Sequence, residues 1–428
     1  MREMKDSGIP WVGAYPSTWT LTKIKYIAKF NPSVKKPYLP TDVVTYAPMD
    51  CIRFGNIEPR EILVSTASSG LTYFEENDIL MAKVTPCFEN GNIAIAKHLV
   101  KGIGLGSSEL FVFRANPSIR YWLFYFLQNE IFKNFAVATM TGTGGLKRVS
   151  PTFVSNYSLA LPSKEERQGI VEYLDKKCAQ IDTLITNVQS QNEKLKAYKQ
   201  SLITEVVTKG LDPTAPMKDS GVDWMGEIPV HWDLRRIKTC CQVVDCKNRT
   251  PDPDPDGEYT VVRTTCIRNG SFSYDGSYLT NKESFTEWTA KGAPRHGDIF
   301  FTREAPMGEA CLVPNDDRLC MGQRVMFFRP FSGFDCRFIL YSIYGPLVRE
   351  YIESKNKGST VGHLKLGQVS DLPLLTCPYH EQIEIADYLD DKCKKIDRLI
   401  SIKQAKIDKL NRYKKSLIYE YVTGKKEV

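Results

Sequence analysis

The chain repeats itself. Met4-Lys5-Asp6-Ser7-Gly8-Ile9-Pro10-Trp11-Val12-Gly13 returns as Met217-Lys218-Asp219-Ser220-Gly221-Val222-Asp223-Trp224-Met225-Gly226, and Pro16 and Trp19 return as Pro229 and Trp232. Near the other end of each half, Tyr173-Leu174-Asp175-Lys176-Lys177-Cys178, Ile181-Asp182 and Leu184-Ile185 return as Tyr388-Leu389-Asp390-Asp391-Lys392-Cys393, Ile396-Asp397 and Leu399-Ile400. The two separations nearly agree, so one unit is duplicated along the whole chain, and both copies must build the same elements in the same order. Between the matched ends the copies diverge. A common frame carrying two different inserts suggests one scaffold presenting two recognition surfaces.

At 428 residues the chain exceeds a single ordinary core and fits roughly two to four domains. Its 42% hydrophobic and 25% charged content is that of a globular protein. No run of about 18 apolar residues occurs, so no membrane span is expected. The opening MREMKDSGIPW lacks the apolar core of a signal peptide. Twelve cysteines are scattered, only Cys240 and Cys241 adjoining, which reads as reduced thiols of a cytoplasmic protein rather than a disulfide framework. Cys240, Cys241 and Cys246 cluster, but no second pair with zinc-ribbon spacing follows. The net charge of +7 permits a polyanionic partner without requiring one.

Each repeat has a mixed part and a helical part. Short β-branched and aromatic runs, broken by Gly, Pro, Asn and Asp, predict strands. Examples are 78–82, 110–113, 298–301 and 324–328. Helical stretches are expected at 119–135 and 338–354. The second part is a long helix. Ile170, Leu174, Ile181, Leu184, Ile185, Val188, Leu195, Tyr198 and Leu202 mark one apolar stripe. Ile385, Leu389, Ile396, Leu399, Ile400, Ile407, Leu410, Tyr413 and Leu417 mark its copy. Gly210 with Pro213, and Gly424, signal the ends. Roughly 40 residues give about 60 Å of helix, which cannot bury its stripe alone. The reading is an α+β chain: a first recognition domain over 1–163, a first long helix over 164–211, a second recognition domain over 212–378 and a second long helix over 379–428. The helices pair as an antiparallel coiled coil in a pseudo-twofold repeat.

This layout resembles the specificity subunit of type I restriction-modification systems. The resemblance covers nearly the whole chain. It rests on the paired KDSG-x-x-W-x-G-x-x-P-x-x-W openings, the helix starts at Pro162/Glu166 and Glu381-Gln382, and the repeated YLD-x-K-C-x-x-IDxLI blocks. At the first helix start the chain reads Glu165-Glu166-Arg167-Gln168 rather than a plain Glu-Gln, which leaves the register there open. The resemblance implies two target-recognition domains on double-stranded DNA, reading a bipartite site across a fixed spacer. It implies recruitment of two modification subunits that methylate adenine at N6 with S-adenosylmethionine, and of restriction subunits that use ATP and Mg. It implies no catalytic centre and no cofactor in the chain itself.

The residues agree with that last point. Asn31-Pro32-Ser33-Val34 and Asn116-Pro117-Ser118-Ile119 are turns rather than an Asn-Pro-Pro-aromatic methyltransferase motif. Gly102-Ile103-Gly104-Leu105-Gly106 lacks the last glycine of a dinucleotide fingerprint, and Thr141–Lys147 lacks the Gly-Lys-Ser/Thr ending of a phosphate loop. The five histidines are isolated. Asp78 and Asp298 read as turn residues opening equivalent strands.

Aligning the divergent parts pairs Arg53 with Arg268, Lys83 with Arg303, Phe113-Arg114 with Phe328-Arg329, and Leu146-Lys147 with Leu364-Lys365. A basic residue recurring at equivalent places is expected to meet phosphate, the one feature common to all DNA. Base reading is expected beside these anchors. In the first domain the candidates are Thr85, Phe88 and Asn90 within 85–91, and Thr143, Lys147 and Arg148 within 141–148. In the second they are Glu304, Gln323, Arg324, Lys357, Thr360, His363 and Lys365. Such side chains make the hydrogen bonds that distinguish base edges in the major groove. The paired tryptophans read instead as docking the segment onto the helices, and the KDSG stretch as part of a partner contact. A coiled-coil scaffold that joins protein partners without DNA specificity is the competing reading. Steep salt dependence of DNA binding separates the two.

Overall fold

The computed structural model describes residues 2–32, 37–53, 55–143, 145–356 and 362–428. It divides into two compact units, Met1–Gln189 with Ala405–Val428, and Ser190–Gln404. Each unit holds one mixed domain, the beginning of one long helix and the end of the other.

In the first unit an antiparallel sheet runs Ile93–Ile95, Ile79–Ala82, Leu110–Ala115, Ala28–Phe30. A second sheet runs Arg60–Leu63, Val43–Ala47, Ile103–Gly106, Thr72–Glu75, its middle pair parallel. Strands Ile79–Ala82 and Leu110–Ala115 are apolar almost throughout because both faces are covered. Ile79, Met81, Phe111 and Phe113 pack with Trp122, Leu123 and Phe132 of the helices. Leu80, Leu110 and Val112 pack the other way, with Ala47 and Phe74 of the second sheet.

The second unit repeats this plan. Cys241–Val244, Val325–Pro330, Ile299–Thr302 and Ala310–Leu312 form the equivalent sheet. Tyr278–Thr280, Tyr259–Val262 and Leu319–Met321 form the smaller one, again with one parallel pair. Ile299, Phe301, Met326 and Phe328 face the helices, while Phe300, Val325 and Phe327 face the smaller sheet. The divergence lies beside it. The first unit adds a fourth strand, and the second carries the helix Lys282–Trp288, with Trp288 packed on Val261 and Cys320.

The single helices expected at 119–135 and 338–354 are each two. In the first unit Pro117–Phe126 is followed by Glu130–Ala138, whose start is capped by the Asn129 carboxamide accepting from the Phe132 amide. In the second, Cys336–Ile343 is followed by Pro346–Asn356. Proline serves at a helix start and breaks a helix interior.

The long helices span Lys164–Lys209 (46 residues) and Tyr379–Val422 (44 residues). Ser163 Oγ accepts the Glu166 amide at the first start, and Gly210 and Gly424 end the helices at φ +76° and +71°. Within the first unit the Tyr173 and Tyr421 rings lie 4.5 Å apart, and Lys414 Nζ donates to both Asp182 oxygens at 2.7 Å. One residue number rises as the other falls, so the segments are antiparallel. Within the second unit Lys199 Nζ donates to Asp397 at 2.7 and 2.8 Å and Lys403 Nζ to Gln191 at 2.5 Å, again antiparallel. The same ion pair is thus used twice.

Most of the expected stripe is buried: Ile170, Leu174, Ile181 and Val188 on the first helix, Ile385, Leu389, Ile396 and Ile407 on the second. Leu184, Tyr198, Leu399 and Tyr413 are not; they stand 46, 57, 47 and 53% exposed. A seam that follows a seven-residue repeat is narrow, and these four positions fall beside it.

One clasp ties each domain to its helix start. Trp19 Nε1 donates to Glu166 Oε2 at 2.8 Å, and Trp232 Nε1 to Glu381 Oε1 at 3.1 Å. Both rings are fully buried. The open register is thereby fixed: Glu166-Arg167 is the counterpart of Glu381-Gln382. Arg167 donates to the Pro162 and Ser118 carbonyls, and Gln382 to those of Cys377 and Gly333. The other tryptophan pair does not share one role. Trp11 donates to the Ser158 carbonyl and stacks on Tyr157, whereas Trp224 is 50% exposed. Among the described residues no helix is long and apolar enough to cross a membrane, and the twelve cysteines are free thiols.

Candidate nucleic-acid interface

In each unit one strand leaves the main sheet and turns through a cis X-Pro bond, Thr85-Pro86 in the first and Ala305-Pro306 in the second. The residue before each turn is gripped by two backbone bonds. The Lys83 amide donates to Glu109 and its carbonyl accepts from Val149; the Arg303 amide donates to Arg324 and its carbonyl accepts from Leu364. Lys83 therefore does match Arg303, but Leu364 matches Val149, not Leu146. Lys365 then falls opposite Ser150, and both stand at the N-cap position of short helices, Leu366–Ser370 and Pro151–Asn156. The sequence pairing of Leu146-Lys147 with Leu364-Lys365 is off by three residues.

Around these grips the units carry different polar groups in the same place. In the first, the Arg148 guanidinium meets both Glu109 oxygens at 2.9 and 2.8 Å, and this bond holds the Glu109 carboxyl below its ordinary pKa. In the second, Glu304 pairs with Arg324 and accepts from the His363 Nδ1–H at 2.8 Å. Glu109 and Arg324 occupy corresponding backbone rungs, as do Arg148 and His363. The acid of the first unit, Glu109, gives way to the base Arg324, and the acid of the second, Glu304, comes from the turning strand, where the first unit has Val84.

The structure sorts the candidates. Arg53, Asn90, Thr143, Lys147, Arg268, Gln323 and Lys365 are exposed. Among the described residues Arg53, Lys147, Arg268 and Lys365 meet no carboxylate. Arg268 Nη1 is steadied by the Thr264 and Ile267 carbonyls at 2.7 and 2.8 Å, and Gln323 Nε2 by the Asn248 carbonyl at 3.1 Å. Lys83 is half-buried, its ammonium 5.8 Å from the Phe111 ring centroid. Arg148, Arg324 and His363 are exposed and already engaged, Arg148 by Glu109 and the other two by the half-buried Glu304. Lys357 and Thr360 lie outside the described residues.

Three candidates are corrected. Phe88 is 2% exposed and packs edge-on against Phe132 in the core; its loop is anchored by an inward ring. Thr85 is a clamp: its hydroxyl donates to the Gly145 carbonyl at 2.7 Å and accepts the Lys147 amide at 3.0 Å, so both capacities are spent inside the protein. Arg303 is 8% exposed and bonded to Asp245 at 3.0 and 3.1 Å. The repeated Arg114 and Arg329 are likewise internal. Each binds a buried aspartate with two nitrogens, Asp78 at 2.8–2.9 Å and Asp298 at 2.7–2.9 Å. Those aspartates also accept the Glu75 and Arg295 amides, as turn residues do. Glu109 was missed; nothing in its neighbourhood in sequence points to Arg148, which reaches it from a distant loop.

Residues 229–412 match the family described as "Type I restriction modification DNA specificity domain". Across 90% of its length the chain is 24% identical to the type I restriction enzyme EcoEI specificity subunit of Escherichia coli, covering 79% of that protein. It is 23% identical to the MjaVIII specificity subunit of Methanocaldococcus jannaschii, over 96% of this chain and 93% of that one. Its fold is that of a chain solved under "Structural basis underlying complex assembly and conformational transition of the type I R-M system" (TM-score 0.68, 17% identity, 95% of this chain and 98% of that one).

Proposed function

We propose that this chain, a member of the type I restriction-modification specificity family, reads a split DNA site, one half through each unit, and brings modification and restriction subunits to it. The observation that carries this reading is the shared grip with unlike polar groups. Lys83 and Arg303 are held alike, while Glu109–Arg148 and Arg324–Glu304–His363 differ around them. A shared frame with different polar groups at the same place is what two different base sequences require. Arg53, Lys147, Arg268 and Lys365 supply phosphate contacts, and Asn90, Thr143 and Gln323 reach base edges.

The chain acts without chemistry of its own: S-adenosylmethionine, ATP and Mg belong to the partners. Two copies of one modification subunit suit the repeated exposed residues. By the helix pairing, Leu184 lies level with Tyr413, and Leu399 with Tyr198, so each unit offers one exposed Leu-Tyr set. Large apolar side chains repeated on a surface mark a contact that is made twice.

The test is the methylome of a methylation-free host expressing the chain with its modification subunit. Adenine methylation at a split motif with a constant gap is expected. Replacing residues 217–375 with another recognition domain should change one half-site only; a change in both refutes the modular reading. Absence of methylation from an assembled, cofactor-loaded complex would favour the scaffold reading.

A further inference from the structure

We infer that Asn248 reads an adenine edge in the major groove of the second half-site. The inference deepens the DNA-reading proposal above and rests on it. The place is the segment that follows the strand Cys241–Val244. Asp245 takes Arg303 Nη1 at 3.0 and 3.1 Å, Cys246 Sγ accepts the Arg324 amide at 3.3 Å, and the Asn248 carbonyl accepts Gln323 Nε2 at 3.1 Å. All of these bonds go to the grip and to the turn beside it, where Gln323 and Arg324 are exposed. The segment therefore borders the same candidate face.

A second set of contacts sorts its side chains. Lys247 Nζ lies 2.7 Å from Glu287 Oε1, and Arg249 pairs with the same carboxylate. Both cations also lie over the Trp288 ring, each 4.8 Å from its centroid, and the Trp288 indole N–H donates to the Arg249 carbonyl at 3.1 Å. Asn248 stands between these two held residues. Its main chain is tied to Gln323, while its side chain is exposed and makes no hydrogen bond among the described residues.

The carboxamide thus offers a free donor and a free acceptor from a backbone that is already ordered. That pair of groups meets the N6 amino group and N7 of adenine with two bonds at once. An ordered backbone lowers the entropy lost when the contact forms. Asn248 carries no charge, so a contact made through it discriminates between bases without adding to the hold on phosphate. The segment also lies where the copies part. Counted from the rungs that Arg114 and Arg329 share with Lys29 and Gln242, one copy continues Asn31-Pro32-Ser33-Val34 and the other Val244-Asp245-Cys246-Lys247. A shared strand followed by unlike letters suits a segment that tells two half-sites apart.

Asn248→Ala keeps the main-chain carbonyl that holds Gln323, so the variant should melt with the parent. Expressed with the modification subunit in a methylation-free host, the parent should leave a split motif. The variant should leave the same first half and the same spacer, with one A·T position of the second half degenerate. Asn248→Asp, which has no donor for N7, should disfavour adenine at that position. On duplexes substituted one pair at a time, fluorescence anisotropy should show Asn248→Ala binding the parent site about tenfold more weakly and no longer distinguishing that position, at the parent's salt slope. A folded Asn248→Ala chain with the parental preference at every position overturns the proposal. So does a loss confined to a G·C position, or a slope flatter by about 0.9, the mark of a phosphate contact. A parent that leaves no split motif refutes the DNA-reading proposal itself, and this inference with it.

Discussion

Four exposed cations, Arg53, Lys147, Arg268 and Lys365, meet no carboxylate among the described residues, whereas Arg148 and Arg324 are already paired with Glu109 and Glu304. Counterion release turns that distinction into a number. Each phosphate neutralised contributes a slope of about −0.9 in log K against log salt, so four give about −3.6, or roughly a 150-fold loss of affinity between about 50 and 200 mM salt. Lys147→Gln with Lys365→Gln should flatten the slope by about 1.8, leaving roughly a 12-fold loss from these contacts over the same range. Glu109→Gln should do the opposite. It frees Arg148 for the DNA backbone and should steepen the slope by up to about 0.9. The assay is fluorescence anisotropy of the chain, with its modification subunits, on a duplex carrying the methylated site, repeated across salt. A slope unmoved by the double lysine variant, or unchanged by Glu109→Gln, would show that these residues do not face the DNA backbone.

Three further outcomes follow from the packing. Asp298→Ala strands Arg329 beside a buried vacancy and should lower stability by about 3 kcal/mol in denaturant melts, as the loss of one partner of a buried pair does; Arg148→Ala, at an exposed pair, should cost under about 1 kcal/mol. Gly424→Ala meets both a left-handed backbone and a methyl only 2.5 Å from Pro16 Cγ, and should destabilise more than Gly210→Ala, whose nearest neighbour is 3.1 Å away; equal melting temperatures would refute this. Lengthening both long helices by about one turn, roughly four residues, should lengthen the tolerated spacer and leave the half-sites unchanged, as methylome sequencing would reveal.

The sequence disclosed what it states twice. Repeated letters located the Trp19 and Trp232 clasps, and the three-and-four spacing located both long helices. Burial beside a narrow seam was not legible, so Leu184 and Tyr198 were assigned to a stripe that leaves them exposed. Cross-strand partners were also hidden. Arg114 lies 36 residues from Asp78, and Arg329 31 from Asp298, and only the antiparallel register brings them together. At Arg114 and Arg329 the recurrence of a basic residue therefore meant a shared internal ion pair. From Arg114 to Val149 and from Arg329 to Leu364 the copies are equally long, so the Leu-Lys letters shared by 146–147 and 364–365 match in sequence but not in position. Phe88 shows the remaining limit: an aromatic residue in a polar loop reads as a probe of the surroundings until its ring is seen pointing inward.

If these pairs lie on the DNA-reading faces proposed above, they bear on how a target would be found. Arg148 and Arg324 each arrive at the surface with their charge already answered, so much of the guanidinium attraction is withheld from arbitrary phosphate. On that reading the two paired arginines would add little to the grip on a wrong sequence, which would then be left the sooner. Along a genome, where nearly every position is wrong, time is lost mainly in letting go. Holding an acid against each arginine trades strength at any single encounter for the number of encounters made per second.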